Sequence, residues 1–417
     1  MSSLLTNGEM THSRVNPVGI GTASNSNQMK SRQGKDISFL CFGGEDWWYH
    51  NRAHTDMQLM RRFARTGTSL YVNSIMMRRH KIIGGSRFTE KLIRKIKSIL
   101  RGVKESGAGF WVYSPFTLPV HHISWAKPLN AAMLSLQIRH TMKKLRMIDP
   151  VVWVVCPAAC DAAVNMKKAK LVYQRTDRFE DDPDVDRDAI LAYDRKLKAS
   201  ADVTVYVNRL LYDKEADQCR NALFLDHGVD YEMFATAESD PERPSDITEV
   251  GKPIVGYFGA LDGHKLDTGF LEAVADRLPE MSFVFIGKPS VDCSKLSAKT
   301  NVWMLGQKSY EEIPHYGKCF DVAILPWRVN KWTEAANPVK LKEYLALGKP
   351  IVSTPAFSEL QSYHDVVYEA KTPEEFAECI ARAYSEDNRE LVGRRREKVA
   401  QTSWDSKAEL VLAELFN

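Results

Sequence analysis

From Ile37 onward, short apolar runs alternate with longer segments of helical character, the pattern of βαβ units wound around a parallel sheet. The first series comprises residues 37–42, 69–75, 109–113, 151–156, 171–174, 203–207 and 222–225. Several of these runs are apolar on both faces, as strands covered by helices on two sides must be. A polar, proline-containing stretch at 236–252 interrupts the alternation and reads as a linker. A second series follows at 254–258, 283–286, 302–305, 322–325, 351–353 and 366–368. The expectation is an α/β chain with two Rossmann-like doubly wound domains, 37–248 and 249–398, facing a cleft at the carboxyl ends of both sheets. Residues 399–417 read as a terminal helix that packs back on the first domain. Residues 1–36, rich in Ser, Asn, Gly and Thr, hold too few large apolar side chains for a core and read as a disordered tail.

A length of 417 residues suits two such domains better than one. The formal charge of +4 is small for that length and makes no demand for nucleic acid. Seven scattered cysteines fit free thiols in a reducing compartment, so a cytoplasmic location is expected. No stretch approaches the roughly 18 to 20 apolar residues that span a bilayer, and the start lacks the apolar core of a secretion signal. Basic residues far outnumber acidic ones between Arg78 and Lys104. From Lys91 onward, Leu92, Ile93, Ile96, Ile99, Leu100 and Val103 recur at helical spacing, with Lys91, Arg94, Lys95, Lys97, Arg101 and Lys104 on the other face. Such a helix either lies on an anionic membrane, here the inner face of the plasma membrane, or packs its stripe against its own domain.

The densest motif runs from Asn337 through Pro338, Val339, Lys340 and Glu343 to Gly348 and Val352. Pro338 suits the first turn of a helix and Gly348 its end before the next strand. The free N–H groups and positive dipole end at Asn337 to Lys340 then make an anion site, for which a diphosphate is the natural occupant. Lys340 adds a counter-charge, and Glu343, about one turn further, places a carboxylate where it can accept two ribose hydroxyls. The alternative is an amphipathic helix with a solvated Lys-rich face.

This segment resembles the GT-B glycosyltransferases, specifically the family-four-like (group 1) transferases that build bacterial polysaccharides, whose last domain carries a glutamate-bearing helix followed by Gly-x-Pro-Val-Val. The likeness extends over Val255 to Ala260, Phe285 to Gly287, Val302 to Gly306 and Asp321 to Pro326. It implies a first domain for the acceptor and a second for a nucleotide-sugar donor, with a glycan or lipid-linked acceptor and no metal. Asp182-Pro183-Asp184 reads as a solvated acidic loop and not as a metal motif. The first glutamate of the family's Glu-x7-Glu pair falls at Ala335, and its Arg and Lys after the first strand leave only His264 and Lys265 nearby. Gly259, Ala260 and His264 open the loop that lets backbone approach phosphate or sugar, or that simply turns. Gly306 and Gln307 stand where such proteins hold the base. A sugar-nucleotide epimerase and a catalytically silent binding subunit are the rival readings.

In the first domain, Gly44, Glu45, Asp46 and Trp47 follow the first strand, and their carboxylates and aromatic faces suit a sugar acceptor. The other reading packs the tryptophans back on the domain. Asp177 lies just beyond a strand, where it serves as general base in an inverting transfer, or as a cap or ion-pair partner of Arg175 or Arg178.

Overall fold

The structure, a computed structural model, describes residues 37–50, 52–75, 86–118, 126–182 and 185–416. The tail expected at 1–36 and the loop at Asp182-Pro183-Asp184 fall wholly or partly outside these residues.

The first sheet holds β1 (Phe39–Phe42), β2 (Ser69–Val72), β3 (Val103–Glu105), β4 (Trp111–Tyr113), β5 (Val151–Val154), β6 (Lys170–Arg175), β7 (Val203–Tyr206) and β8 (Ala222–Phe224). Their order is β3-β4-β2-β1-β5-β6-β7-β8, parallel except where β3 runs against β4. Side chains alternate between two cores. Phe39, Cys41, Val151 and Trp153 face one; Leu40, Phe42, Val152 and Val154 face the other. This period-two division of wholly apolar strands is why the runs read as buried on both faces.

The second sheet holds β9 (Ile254–Phe258), β10 (Ser282–Ile286), β11 (Val302–Gly306), β12 (Val322–Leu325), β13 (Ile351–Ser353) and β14 (Val367–Glu369). It is parallel throughout in the order β11-β10-β9-β12-β13-β14. The strand order reverses at β9, and in the first sheet at β1, so the loops leaving these two strands open the crevices in which ligands of such sheets bind.

Four helices matter below: α1 (Thr55–Phe63), α2 (Ser86–Leu100), α3 (Val339–Leu347) and α4 (Trp404–Phe416). α4 buries Ala408, Val411 and Leu415 in the core of the first sheet beside Met57, Met60 and Phe63 of α1. In the opposite direction, Val229, Phe234, Ala237 and Ile247 already belong to the core of the second sheet. The chain therefore changes cores before the polar stretch ends.

The helical spacing that continues to Val103 is cut short. Gly102, at φ +61°, ends α2, and Val103–Glu105 becomes an edge strand paired with β4. A glycine in the left-handed region stops a helix whatever the apolar pattern beyond it.

Candidate functional site

Immediately after β9 the backbone turns at Gly259, φ +136°, whose N–H donates to the Ile286 carbonyl at 2.8 Å. A Cβ at Gly259 would run into the Lys340 ammonium, and one at Gly287, φ +155°, would strike the Gly259 carbonyl. Backbone and ammonium thus share space that any side chain would fill.

The ammonium comes from α3. Pro338 stands at the cap position, one place before the first turn, no side chain caps the helix, and Gly348 at φ +78° ends it. The amides of Val339 and Lys340 are therefore left without intrahelical acceptors at the positive end of the dipole. Lys340 Nζ donates to Tyr257 Oη at 3.1 Å and stands over the rings of Tyr257 and Trp327, 4.5 and 5.4 Å from their centroids. Among the described residues it forms no ion pair. Burial pushes its pKa down to about 8, against the pull of Glu343.

Glu343 is buried one turn further along, and its Oε1 has no hydrogen-bond partner among the described residues. Burial pushes its carboxyl up to about 8, with Lys340 pulling the other way. Tyr310 Oη is also buried with no hydrogen bond of good geometry, but it lies close enough to Glu343 and Asp230 for weak hydrogen bonding to both. Unpaired buried acceptors are costly, and each one calls for a structural or functional reason. Because the folded carboxyl titrates near 8 and the unfolded one near 4.5, the native state holds a proton that the unfolded chain releases between these values. Its contribution to stability is complete below the lower value and is lost as pH rises through the upper one. The stability difference between the ligand-free wild type and Glu343→Gln, read by thermal unfolding, is expected to decline across this window.

Asn337 does not face the donor position. Its Nδ2 donates to the Val207 carbonyl and to Asp226 Oδ1, both at 2.8 Å, and both belong to the first domain. Lys342, fully buried, donates to the same Asp226 oxygen at 2.9 Å and to Asn337 Oδ1 at 3.4 Å. His227 Nδ1 meets Thr55 Oγ1 at 2.5 Å, tying the start of α1 to this knot. The expectation of Asn337 as a donor contact is thereby corrected. An amide with both ends spent inside the protein holds α3 against the first domain.

The loop after β1 also divides. Trp47 is buried against Tyr71 and Phe110, with Arg52 over its ring at 4.8 Å, so it presents no face to an acceptor. Asp46 accepts from Trp48 N at 3.0 Å and Ser98 Oγ at 2.9 Å, and its carboxylate fastens the loop. The acceptor roles expected for Trp47 and Asp46 give way to packing, because only one of two adjacent tryptophans has room in the core. Gly44 donates to Asp56 at 3.0 Å. Glu45 stays half-buried, 3.1 Å from His50.

Asp177 is half-buried beyond β6, and its carboxylate accepts no hydrogen bond among the described residues. Arg175 takes the Asp177 carbonyl at 2.8 Å and spends the rest of its guanidinium on Glu180 and Glu215, so the ion pair with Arg175 does not form. Burial raises the Asp177 carboxyl, Lys265 and Arg175 draw it back, and Glu45 adds to the rise. Glu45 of the first domain and Lys265 of the second are thus within electrostatic reach of Asp177. Lys265, its ammonium over Trp327 and Trp332 at 5.3 and 4.7 Å, is the second-domain cation of this group, named in the sequence by its loop but given no role there. It stands in the loop after β9, which was the available signal.

Ala260 and His264 are exposed in that loop, and their carbonyls accept from Tyr257 Oη at 3.1 Å and from Asn330 Nδ2 at 3.2 Å. Gly306, φ +70°, and Gln307 are exposed at the end of β11. Ala335 is fully buried against Tyr206 and Leu211, so no carboxylate stands there.

Residues 252–386 match the family model of glycosyl transferases group 1. Over 186 residues the chain is 29% identical to TuaH of Bacillus subtilis (strain 168), assigned to teichuronic acid biosynthesis as a glycosyltransferase. That match takes in 43% of this chain and 46% of TuaH, less than half of the relative's length. Sucrose-phosphate synthase from Thermosynechococcus elongatus superposes with a TM-score of 0.66 at 14% identity, covering 92% of this chain and 98% of that one. Anabaena HepE in complex with UDP and glucose gives 0.63 at 12%, covering 91% and 99%. The α,α-trehalose 6-phosphate synthase of Burkholderia multivorans gives 0.61 at 14%, covering 91% and 98%. At such identities the shared property is the fold. Residues 252–386 are thus similar to the group 1 glycosyltransferases, and the two Rossmann-like sheets share the GT-B fold of these structures.

Proposed function

We propose that the protein transfers a sugar from a nucleotide-diphosphate sugar to a glycan or lipid-linked acceptor without a metal ion. The observation that carries this reading is the pair on α3, an ammonium in no ion pair and, one turn on, a buried carboxyl with an unpartnered oxygen. The diphosphate sits at the start of α3 against the first amides and Lys340, the ribose hydroxyls meet Glu343, and the base lies at Gly306 and Gln307. Gly259, Ala260 and His264 border the sugar. HepE, of the same fold, is known in complex with UDP and with UDP-glucose, which supports a donor of this class. The assignment of TuaH supports a polysaccharide setting.

In an inverting course the acceptor oxygen attacks the anomeric carbon and its proton passes to Asp177. The bond from that carbon to the diphosphate oxygen breaks, and its electron pair leaves with the nucleoside diphosphate. Lys340, Lys265 and the helix amides meet the charge that develops there. Buried Ala335 favours the rival reading of a silent binding subunit, since it removes one carboxylate of the family pair.

Above a pH of about 8, where the Glu343 carboxyl is ionised, Glu343→Gln is expected to weaken nucleotide binding by about 1–3 kcal/mol, the scale of a charge-assisted hydrogen bond. Calorimetry with the cognate nucleotide checks this, and unchanged affinity removes the ribose assignment. Chelator should leave turnover intact; its loss would show a metal requirement.

A further inference from the structure

α2 is built inside out. Among its described side chains the buried one is Ser98, flanked by half-buried Arg94, Lys95 and Ile99. Ile93, Ile96 and Leu100 are 51%, 46% and 79% exposed. Spaced three and four apart, they form one outward stripe. Lys97, Arg101 and Lys104 are exposed beside it. A helix that packs its apolar stripe on its own domain shows the reverse arrangement.

The inward contacts are polar. Ser98 Oγ reaches Asp46 at 2.9 Å and Ser114 at 2.5 Å, and Lys95 Nζ donates to the Ser74 carbonyl at 3.0 Å. The core-facing reading therefore fails for Ile93, Ile96 and Leu100, while Ile99 and Val103 stay half-buried, and Lys95 leaves the outer basic face. α2 also grips the loop after β1, with Arg94 5.6 Å from the Tyr49 ring and Arg101 5.0 and 5.3 Å from those of Trp48 and Tyr49.

Charge decides what covers the stripe. Residues 86–148 hold twelve Lys and Arg against two Asp and Glu, although the whole chain carries only +4, so the rest is net acidic. An exposed apolar stripe with a cationic rim, on a segment this basic, complements an anionic lipid surface. A neutral or acidic protein face would match the stripe but leave the rim unpaired.

We propose that α2 docks on an anionic lipid surface through Ile93, Ile96 and Leu100 with Lys97, Arg101 and Lys104 at the headgroups, so that the loop it grips takes its acceptor from that surface. The second half rests on the transferase reading; the docking does not.

The test is co-sedimentation of the full chain with vesicles of phosphatidylglycerol and phosphatidylcholine, or of phosphatidylcholine alone, across a salt series. Three proteins are compared: wild type, an Ile93→Ser, Ile96→Ser, Leu100→Ser variant, and a Lys97→Glu, Lys104→Glu variant. Arg101 is kept because it stacks on both Trp48 and Tyr49, whereas Lys104 stands over Trp48 alone, at 6.0 Å. The expected result is wild-type binding to the anionic vesicles only, weakening with salt. Each variant should bind about 30-fold more weakly or worse, given roughly fivefold per basic side chain near such a surface or the loss of three buried apolar groups. Equal binding to both vesicles, no binding to either, or unchanged binding by the variants overturns the proposal. So does a change in oligomeric state on substitution with no effect on vesicles, which would assign the stripe to a second copy. Nucleotide affinity, measured in parallel, tells the two readings apart. Vesicle binding lost with nucleotide affinity kept isolates the docking surface, whereas a wild type that binds vesicles but no nucleotide leaves docking intact and removes the transferase.

Discussion

Lys340→Met is expected to turn over its donor ~100- to 1,000-fold more slowly than wild type, with a much smaller change in nucleotide affinity. The departing diphosphate carries its largest charge in the transition state, so a fixed cation there lowers the barrier more than it strengthens ground-state binding. The fold has prepared this cation in advance. Its Nζ stands over the rings of Tyr257 and Trp327 and donates to Tyr257 Oη, and no carboxylate pairs with it among the described residues. Methionine keeps the stem and removes the charge. Since burial brings the ammonium down to about 8, wild-type turnover in the absence of donor saturation should fall as pH rises past that value. The variant should lose this limb. Steady-state kinetics against pH checks both, and a Lys340→Met enzyme with a normal kcat would remove the residue from the mechanism.

Asp226→Ala is expected to destabilise the protein by about 3–5 kcal/mol, the cost of leaving a buried charge uncompensated. Lys342 is fully buried, and Asp226 is its carboxylate partner at 2.9 Å. Burial alone would raise the Asp226 carboxyl, but Lys342, helped by His227 and Asn337, holds it down at about 2. A group depressed in this way stabilises the fold above its unfolded value and loses that contribution as pH falls through the folded one. The double variant Asp226→Ala, Lys342→Met should recover most of the loss, because no charge remains buried. Urea unfolding of the three proteins measures this directly. A single variant within about 1 kcal/mol of wild type would mean that the knot between the domains is held elsewhere.

Apolar patterning made both sheets legible, because strands such as β1 and β5 send alternate side chains into two cores and have no polar positions to spare. It could not show β3, three residues long and exposed, whose Val103 continues the helical spacing of α2. On α3 the placement of Lys340 and Glu343 about one turn apart follows from spacing along one helix, which sequence preserves. Asn337 misled because its partners, Val207 and Asp226, lie more than a hundred residues away in the other domain. The same holds for Asp46, whose carboxylate is taken by Ser98, and for Trp47, whose neighbour Trp48 gave no sign of which ring enters the core. Lys265 lay in the right loop, yet only the fold shows it beside Asp177 and two tryptophan rings. On α2 the periodicity was plain, but which face the domain takes depends on Ser98 meeting Asp46 and Ser114, and no local rule predicts that an apolar stripe is the face left outside.

The central claim is best tested by offering the full chain a panel of nucleotide sugars and following nucleoside diphosphate release with and without glycan and lipid-linked acceptors. The account predicts that a narrow set of donors is consumed, that an acceptor accelerates release, and that chelator does not abolish it. Binding of nucleotide sugars with no release under any acceptor, or interconversion of the sugar without release, would contradict it.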